Sequence, residues 1–418
     1  MKIFSFIAVL IVALSSIVAL SSFVVAQTGA HKDFKPTVIL ISADGFRPDY
    51  LDRYPAPTLN RLAGAGVRAE WMETSFPSKT FPNHYSVATG LYPANHGIVD
   101  NNVWDFGTVF SMGKREEVEN PRWWLGEPIW VTAQKQGQIA ASYFFVGSEA
   151  PISGVRPKYW RSYNGGVPPQ LRVDTVLGWL DLPVNERPTI LTMYFSDTDD
   201  AGHEFGPDSA EAKYAVANVD SYIARLEAGL KSRGITDKVN IIFVSDHGMA
   251  PYDVRNATYL DDYFDLQQAD RILWSNEIVQ IFPKEGMVAG IIGALSKAKN
   301  VSCWRREDVP PRFHYSGNSR IAPIICVSAK GWVTTSRARH QAWLQTIPDQ
   351  DRLRGAHGYD PQLPEMRATF IGSGPAFKNG LRVPAFPNVD VYEVICKILG
   401  LRPAKNDGNP ETARRILR

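Results

Sequence analysis

A chain of 418 residues that is 44% hydrophobic and 21% charged has the apolar content to bury a large core and is not an intrinsically disordered protein. Lys and Arg number 45 against 43 Asp and Glu, a formal charge of +2, so the broad basic face that binds nucleic-acid duplexes or anionic membranes is excluded. Cys303, Cys326 and Cys396 are too few for a disulfide-stapled scaffold and lack the paired spacing of a thiolate zinc site.

Residues 1–26 read as a targeting signal. Lys2 precedes an uncharged run from Ile3 to Val25, and the small-residue end Val24-Val25-Ala26 suits a signal peptidase. The protein is therefore expected to be exported, to a periplasm, the medium or a cell surface. The run is longer than a usual signal core, so an uncleaved anchor is the alternative, and only then would a membrane be a partner. In an oxidising compartment Cys303 and Cys326 can close a loop, whereas Cys396, inside an apolar helical pattern, reads as a buried thiol. Asn256-Ala-Thr258 and Asn300-Val-Ser302 are glycosylation sequons in a eukaryotic host.

Residues 27–418 are expected to form one α/β domain, with a large, mostly parallel sheet flanked by helices on both faces. Apolar, β-branched runs predict strands at Thr37–Ser42, Thr189–Phe195, Val239–Ser245, Ile321–Val327 and Ala368–Ile371. Between them, helical patterns cover Pro57–Ala65, Pro82–Thr89, Ser209–Ser232 and Val389–Leu399. Residues 144–169 and 251–320 fit the alternation poorly and read as insertions on the sheet.

Three of these strands end in acids: Asp44 after the first, Asp197, Asp199 and Asp200 after the second, and Asp246 after the third. Ligands of open α/β sheets bind beyond the carboxyl ends of strands, which brings these acids toward one place. Any one of them alone is more simply a helix cap or turn former. Two imidazoles accompany them, in Asp246-His247 and in Asp199-Asp-Ala-Gly-His203, where acid and histidine lie one helical turn apart. His357 sits between small residues in Gly355-Ala-His-Gly358. Mixed carboxylate and imidazole sets suit zinc. His31, His84, His96, His314 and His340 have no such setting and read as surface or structural residues. Thr80 lies just before Pro82, a residue favoured in a first helical turn, so its hydroxyl is expected at a positive helix end. Without a metal nearby it would be an ordinary cap.

These segments together resemble a family. Val38-Ile-Leu-Ile-Ser-Ala-Asp44-Gly-Phe-Arg, Thr80-Phe-Pro-Asn-His-Tyr-Ser, Thr89-Gly-Leu-Tyr-Pro-Ala-Asn-His-Gly-Ile-Val-Asp-Asn101, Asp199-x-x-Gly-His203 and Val244-Ser-Asp246-His247-Gly-Met are similar, in order, to the nucleotide pyrophosphatase/phosphodiesterases of the alkaline phosphatase superfamily. The resemblance implies two Zn²⁺ ions, one held by Asp199, His203 and His357, the other by Asp44, Asp246, His247 and the Thr80 oxygen. It implies that Thr80 is the nucleophile, that Asn101 binds a phosphate oxygen, and that a nucleoside 5′-monophosphate leaves through a phospho-threonine intermediate. Tyr163, in Tyr163-Asn-Gly-Gly-Val-Pro-Pro, is similar to the family tyrosine that stacks on a base. Phe81 and Tyr194 are further substrate-binding expectations, with core packing an equal reading for Tyr194. The expected partners are small-molecule nucleotides rather than nucleic-acid duplexes. The Asp-x-Ser of alkaline phosphatases and the Cys-x-Pro-x-Arg of sulfatases are absent, which favours a diester over a monoester or sulfate ester. A choline-phospholipid phosphodiesterase, a monoesterase on the same metals and a non-catalytic exported binding protein are the alternatives.

Overall fold

The structure, a computed structural model, describes residues 33–105, 107–348 and 352–418. The signal segment and His31 lie outside the described residues. The strand signals at the first, second and third acids become β1 (Thr37–Ala43), β5 (Ile190–Phe195) and β6 (Val239–Val244), given their places among β2 (Val67–Ala69), β3 (Ala140–Tyr143), β4 (Tyr159–Arg161), β7 (Phe370–Ser373) and β8 (Leu381–Val383). These form an eight-stranded sheet in the order β8-β2-β7-β6-β1-β5-β3-β4.

Every residue of β1, β5 and β6 is buried, as continuous apolar runs covered on both faces must be. Successive side chains alternate between two cores: Val38 and Leu40 join one, Ile39, Ile41 and Ala43 the other. The sheet is mixed. β1, β3, β4, β5 and β6 run parallel, but β7 is antiparallel to both β6 and β2. β4 also shows that part of residues 144–169 belongs to the sheet edge.

One strand expectation is corrected. The run Ile321–Val327 supplies the strand Ile324–Ser328, which joins Ala269–Ser275, Ile278–Pro283 and Val301–Arg305 in a separate antiparallel four-stranded sheet. Its Ile278, Phe282, Ile325 and Val327 face the main core, while Val279, Ile281, Ile324 and Cys326 face a small core of their own. A disulfide joins Cys303 to Cys326 across two of its strands, and Cys396 is a buried free thiol. Among the described residues no helix is long and apolar enough to cross a membrane.

The helices that position the site are α1 (Pro57–Ala65), α2 (Thr80–Thr89), α3 (Asp197–Phe205), α4 (Ala210–Ser232) and α5 (Asp390–Leu399). Helix α2 starts two residues earlier than Pro82, so Thr80 is its first residue and Pro82 falls within its first turn.

Candidate metal centre beside Thr80

β5, β1 and β6 are adjacent and parallel, with Ala43 paired to Phe195 and Ser42 to Val244. Their carboxyl ends therefore open on one edge, and the residues that follow, Asp44, Asp199 and Asp246, arrive together. Asp44 N–H donates to Phe195 O at 2.9 Å, and Gly45 N–H donates to Asp246 Oδ1 at 3.2 Å. Gly45 is required there: its φ is +66°, and a Cβ would lie 3.2 Å from Asp199 Cα. Helix α3 carries Asp199 and His203 on one face, four residues apart, with its acids in the first turn, where the helix dipole favours them.

Six predicted ligands meet in this space. His247 Nε2 lies 3.0 Å from Asp246 Oδ2 and 3.3 Å from Asp44 Oδ1. His203 Nε2 lies 3.4 Å from Asp199 Oδ1 and 3.1 Å from His357 Nε2, and the rings of His247 and His357 stack at 3.5 Å. Thr80 Oγ1, at the N-terminus of α2, is 3.3 Å from His247 Nε2. The other ring nitrogens are occupied by backbone carbonyls: His203 Nδ1 is 3.0 Å from Gly355 O, His247 Nδ1 2.8 Å from Gly248 O, and His357 Nδ1 2.9 Å from Ser78 O. A carbonyl accepts only from a protonated Nδ1, so each neutral ring turns an Nε2 lone pair inward, the tautomer and orientation of a metal ligand.

The electrostatics point the same way. Asp44 Oδ1, Asp199 Oδ1 and Asp246 Oδ2 are buried with no hydrogen-bond partner. Buried carboxylates without partners are costly, and three in contact with inward lone pairs repel one another unless a positive charge lies between them. Burial, then the Asp246 and Asp199 charges, push the Asp44 carboxyl well above the usual carboxylate range. Burial also raises Asp199, against the pull of His203 and His247. Burial would raise Asp246 too, but His247 and His84 hold it well below. Burial favours a neutral His247, yet Asp246 and Asp199 raise its pKa. His357, buried beside His247, Lys79 and His203, is held well below the usual imidazole range.

By distance alone, the donors fall into the groups Asp199, His247, His357 and Asp44, His84, Asp246. This differs from the expected division in two places: His247 stands where His203 was expected in the first group, His84 stands where His247 was expected in the second, and His203 falls in neither. Both nitrogens of His84 have other partners: Nε2 lies 2.8 Å from Ser42 Oγ and Nδ1 2.9 Å from Thr80 O, with Asp246 Oδ2 3.3 Å away. His84, read from the sequence as merely structural, thus braces both an acid of the cluster and the backbone of Thr80. The only sequence signal was its position four residues after Thr80, on the same face of α2. His96 and His340 are buried on other partners, and His314 stacks on Tyr92. Asp197 accepts from Tyr222 and Asp200 from Ser196, away from the cluster.

The residues expected around a substrate surround this centre. Asn101 Oδ1 accepts the N–H of Phe81 at 2.9 Å, which fixes its amide beside the start of α2. Phe81 is half-buried, with Phe110 and Trp124 against its ring at 5.8 and 6.2 Å. Tyr163 is 45% exposed and packs edge-on to Phe144 and Tyr194. Tyr194 is buried, and its hydroxyl donates to Asp44 Oδ2 at 2.7 Å; it holds a carboxylate and has little ring surface left for a ligand.

Comparison with known proteins places this arrangement in context. A model of the family described as type I phosphodiesterase / nucleotide pyrophosphatase matches residues 38–360. An uncharacterised pyrophosphatase/phosphodiesterase of Schizosaccharomyces pombe is 40% identical over 393 residues, 91% of this chain and 80% of the relative. Ectonucleotide pyrophosphatase/phosphodiesterase family member 3 of Rattus norvegicus is 36% identical over 397 residues, 92% of this chain but 44% of the relative. The solved structure of murine ectonucleotide pyrophosphatase/phosphodiesterase 5, as an inactive threonine-to-alanine variant in complex with AMP, superimposes with a TM-score of 0.84 at 31% identity, covering 92% of this chain and all of the other.

Proposed function

The chain belongs to the type I phosphodiesterase / nucleotide pyrophosphatase family, a family of enzymes, and from that premise we propose that it hydrolyses phosphodiester or pyrophosphate bonds of small nucleotides to release a nucleoside 5′-monophosphate. The observation that carries this is the set of three buried, unpartnered carboxylate oxygens facing inward imidazoles next to Thr80. Such a donor set fits divalent cations, and its mixture of nitrogen and oxygen suits zinc. Asp199, His203 and His357 would hold one ion; Asp44, Asp246, His247 and Thr80 Oγ1 would hold the other. Bound there, the two cations would supply Lewis acidity at the attacking and leaving oxygens.

The protein's own groups do the rest. Thr80 sits at the positive end of α2, where the helix dipole favours negative charge on its oxygen. Its Oγ1 attacks phosphorus, forming one P–O bond as the bond to the leaving oxygen breaks. Water then releases the phosphoryl group from Thr80, so that two inversions give net retention. A threonine-to-alanine change accompanies inactivity in the murine relative, which supports a threonine in this role. With Oδ1 taken by Phe81 N–H, Asn101 keeps its two amide hydrogens for a non-bridging phosphate oxygen. Phe81 and Tyr163 offer ring surface to a base, and Tyr194 and His84 orient Asp44 and Asp246. The signal-like residues 1–26 support export of a single catalytic domain.

The test is a side-by-side assay of a chromogenic nucleotide 5′-phosphodiester, a phosphate monoester and a phosphocholine ester, with zinc supplied. The reading predicts dominant turnover of the nucleotide diester. Dominant monoester cleavage, dominant phosphocholine release, or no turnover at full zinc occupancy would each replace it.

A further inference from the structure

We propose that Glu277 is a positioning residue for this site: carried by the insertion sheet, it anchors Lys79 and thereby fixes Thr80. The inference rests on the reading of Thr80 as nucleophile.

Lys79 immediately precedes Thr80 and occupies the cap position of α2 in extended conformation, but its side chain caps nothing. Instead the stem runs beneath the loop that carries His357. A Cβ added at Gly358, whose φ is +115°, would lie 2.4 Å from Lys79 Cε. At its far end Nζ meets Glu277 Oε2 at 2.5 Å, with Lys79 7% and Glu277 3% exposed. Glu277 belongs to the two-residue turn between the strands Ala269–Ser275 and Ile278–Pro283. The same hairpin sends Gln280 Nε2 to Asp100 Oδ2 at 3.4 Å, and Asp100 Oδ1 accepts the N–H of Asn101 at 2.6 Å. One hairpin of the insertion thus grips the residue before Thr80 and the residue before Asn101.

A purely structural role accounts poorly for the pair. A buried ion pair adds little stability over apolar side chains of the same volume, and Ile278, Phe282, Ile325 and Val327 already join this sheet to the core. What the pair adds is direction: a flexible four-carbon stem is held at both ends, and the backbone at Thr80 with it.

The test uses the metal-loaded full chain and a chromogenic nucleotide 5′-phosphodiester. Glu277→Gln is expected to lower kcat by about 10- to 100-fold, because small displacements of a nucleophile are expensive, with KM and bound metal unchanged. Glu277→Asp, which keeps the charge on a shorter arm, is expected to recover part of that loss. Should the single variants fold poorly, the double variant Lys79→Met with Glu277→Met carries the test, since it removes both charges together; it is expected to fold, retain metal and remain slow. Wild-type kcat in Glu277→Gln or in the double variant overturns the proposal, as does a loss of activity that only follows loss of metal. Thr80→Ala separates the two readings: turnover retained in it sinks the nucleophile assignment, whereas an inactive Thr80→Ala beside a fully active Glu277→Gln sinks only the anchor.

Discussion

The fold buries carboxylates in two ways. Asp220, on α4, is 5% exposed and accepts the N–H groups of Thr58 and Leu59 at 3.2 and 2.8 Å, so both of its oxygens cap the start of α1. Asp44 and Asp246 are at least as deeply placed and Asp199 is partly buried, yet each keeps a buried oxygen with no hydrogen-bond partner. A satisfied buried acid ties elements together; an unsatisfied group of them is a place made for a cation. On the function proposed above, that contrast distinguishes Asp220 from the three acids of the cluster.

The sharpest way to break that contrast is at the hydroxyl the cluster is proposed to serve. Thr80→Ala should lower turnover of a nucleotide diester by at least about 10³-fold, while zinc content, measured by elemental analysis, stays close to wild type. Next, Asp246→Asn should lose bound metal and lower activity by at least about 100-fold, whereas Asp220→Asn should keep the metal and, once folded, the activity. Equal metal loss in both would erase the distinction.

Stability provides a third test, with opposite signs for the two kinds of acid. Asp220→Ala strands two buried donors and should cost about 1–3 kcal/mol in denaturant titration. Asp44 behaves otherwise in chelated protein. Its carboxyl is raised by burial and by its acidic neighbours, so the folded state binds its proton more tightly than the unfolded state does. The stability this contributes is complete below the ordinary carboxylate pKa and is lost as pH rises through the raised value. Near neutral pH, Asp44→Asn should therefore stabilise the metal-free protein and weaken the metal-loaded one. The smallest effect is expected at the rim: Tyr163→Ala should raise KM by about tenfold, the scale of one lost stacking partner, with kcat nearly unchanged.

Much of this could be seen in the sequence because chemistry and topology coincide there. Asp44, Asp199 and Asp246 each follow an apolar run, and parallel strands must deliver their carboxyl ends to the same edge. Strand direction and sheet membership were not legible. Nothing in Ala368–Ile371 marks β7 as antiparallel, and Ile321–Val327 is as apolar as a central strand yet pairs inside the insertion, where its two faces are buried by different cores. Short strands such as β2 and the edge strand β8, three residues each, carry too little pattern to notice. His84 and the Lys79 to Glu277 pair escaped for another reason: their roles come from partners 162 and 198 residues away, and no spacing rule spans such distances.

The central claim is that these side chains gather two cations beside one hydroxyl. It is tested most directly by anomalous diffraction at the zinc absorption edge from crystals of protein shown to cleave a nucleotide diester. Two strong peaks are expected, one among Asp199, His203 and His357, the other among Asp44, Asp246, His247 and Thr80 Oγ1. Active protein whose anomalous maps hold no peak among these residues would contradict the account.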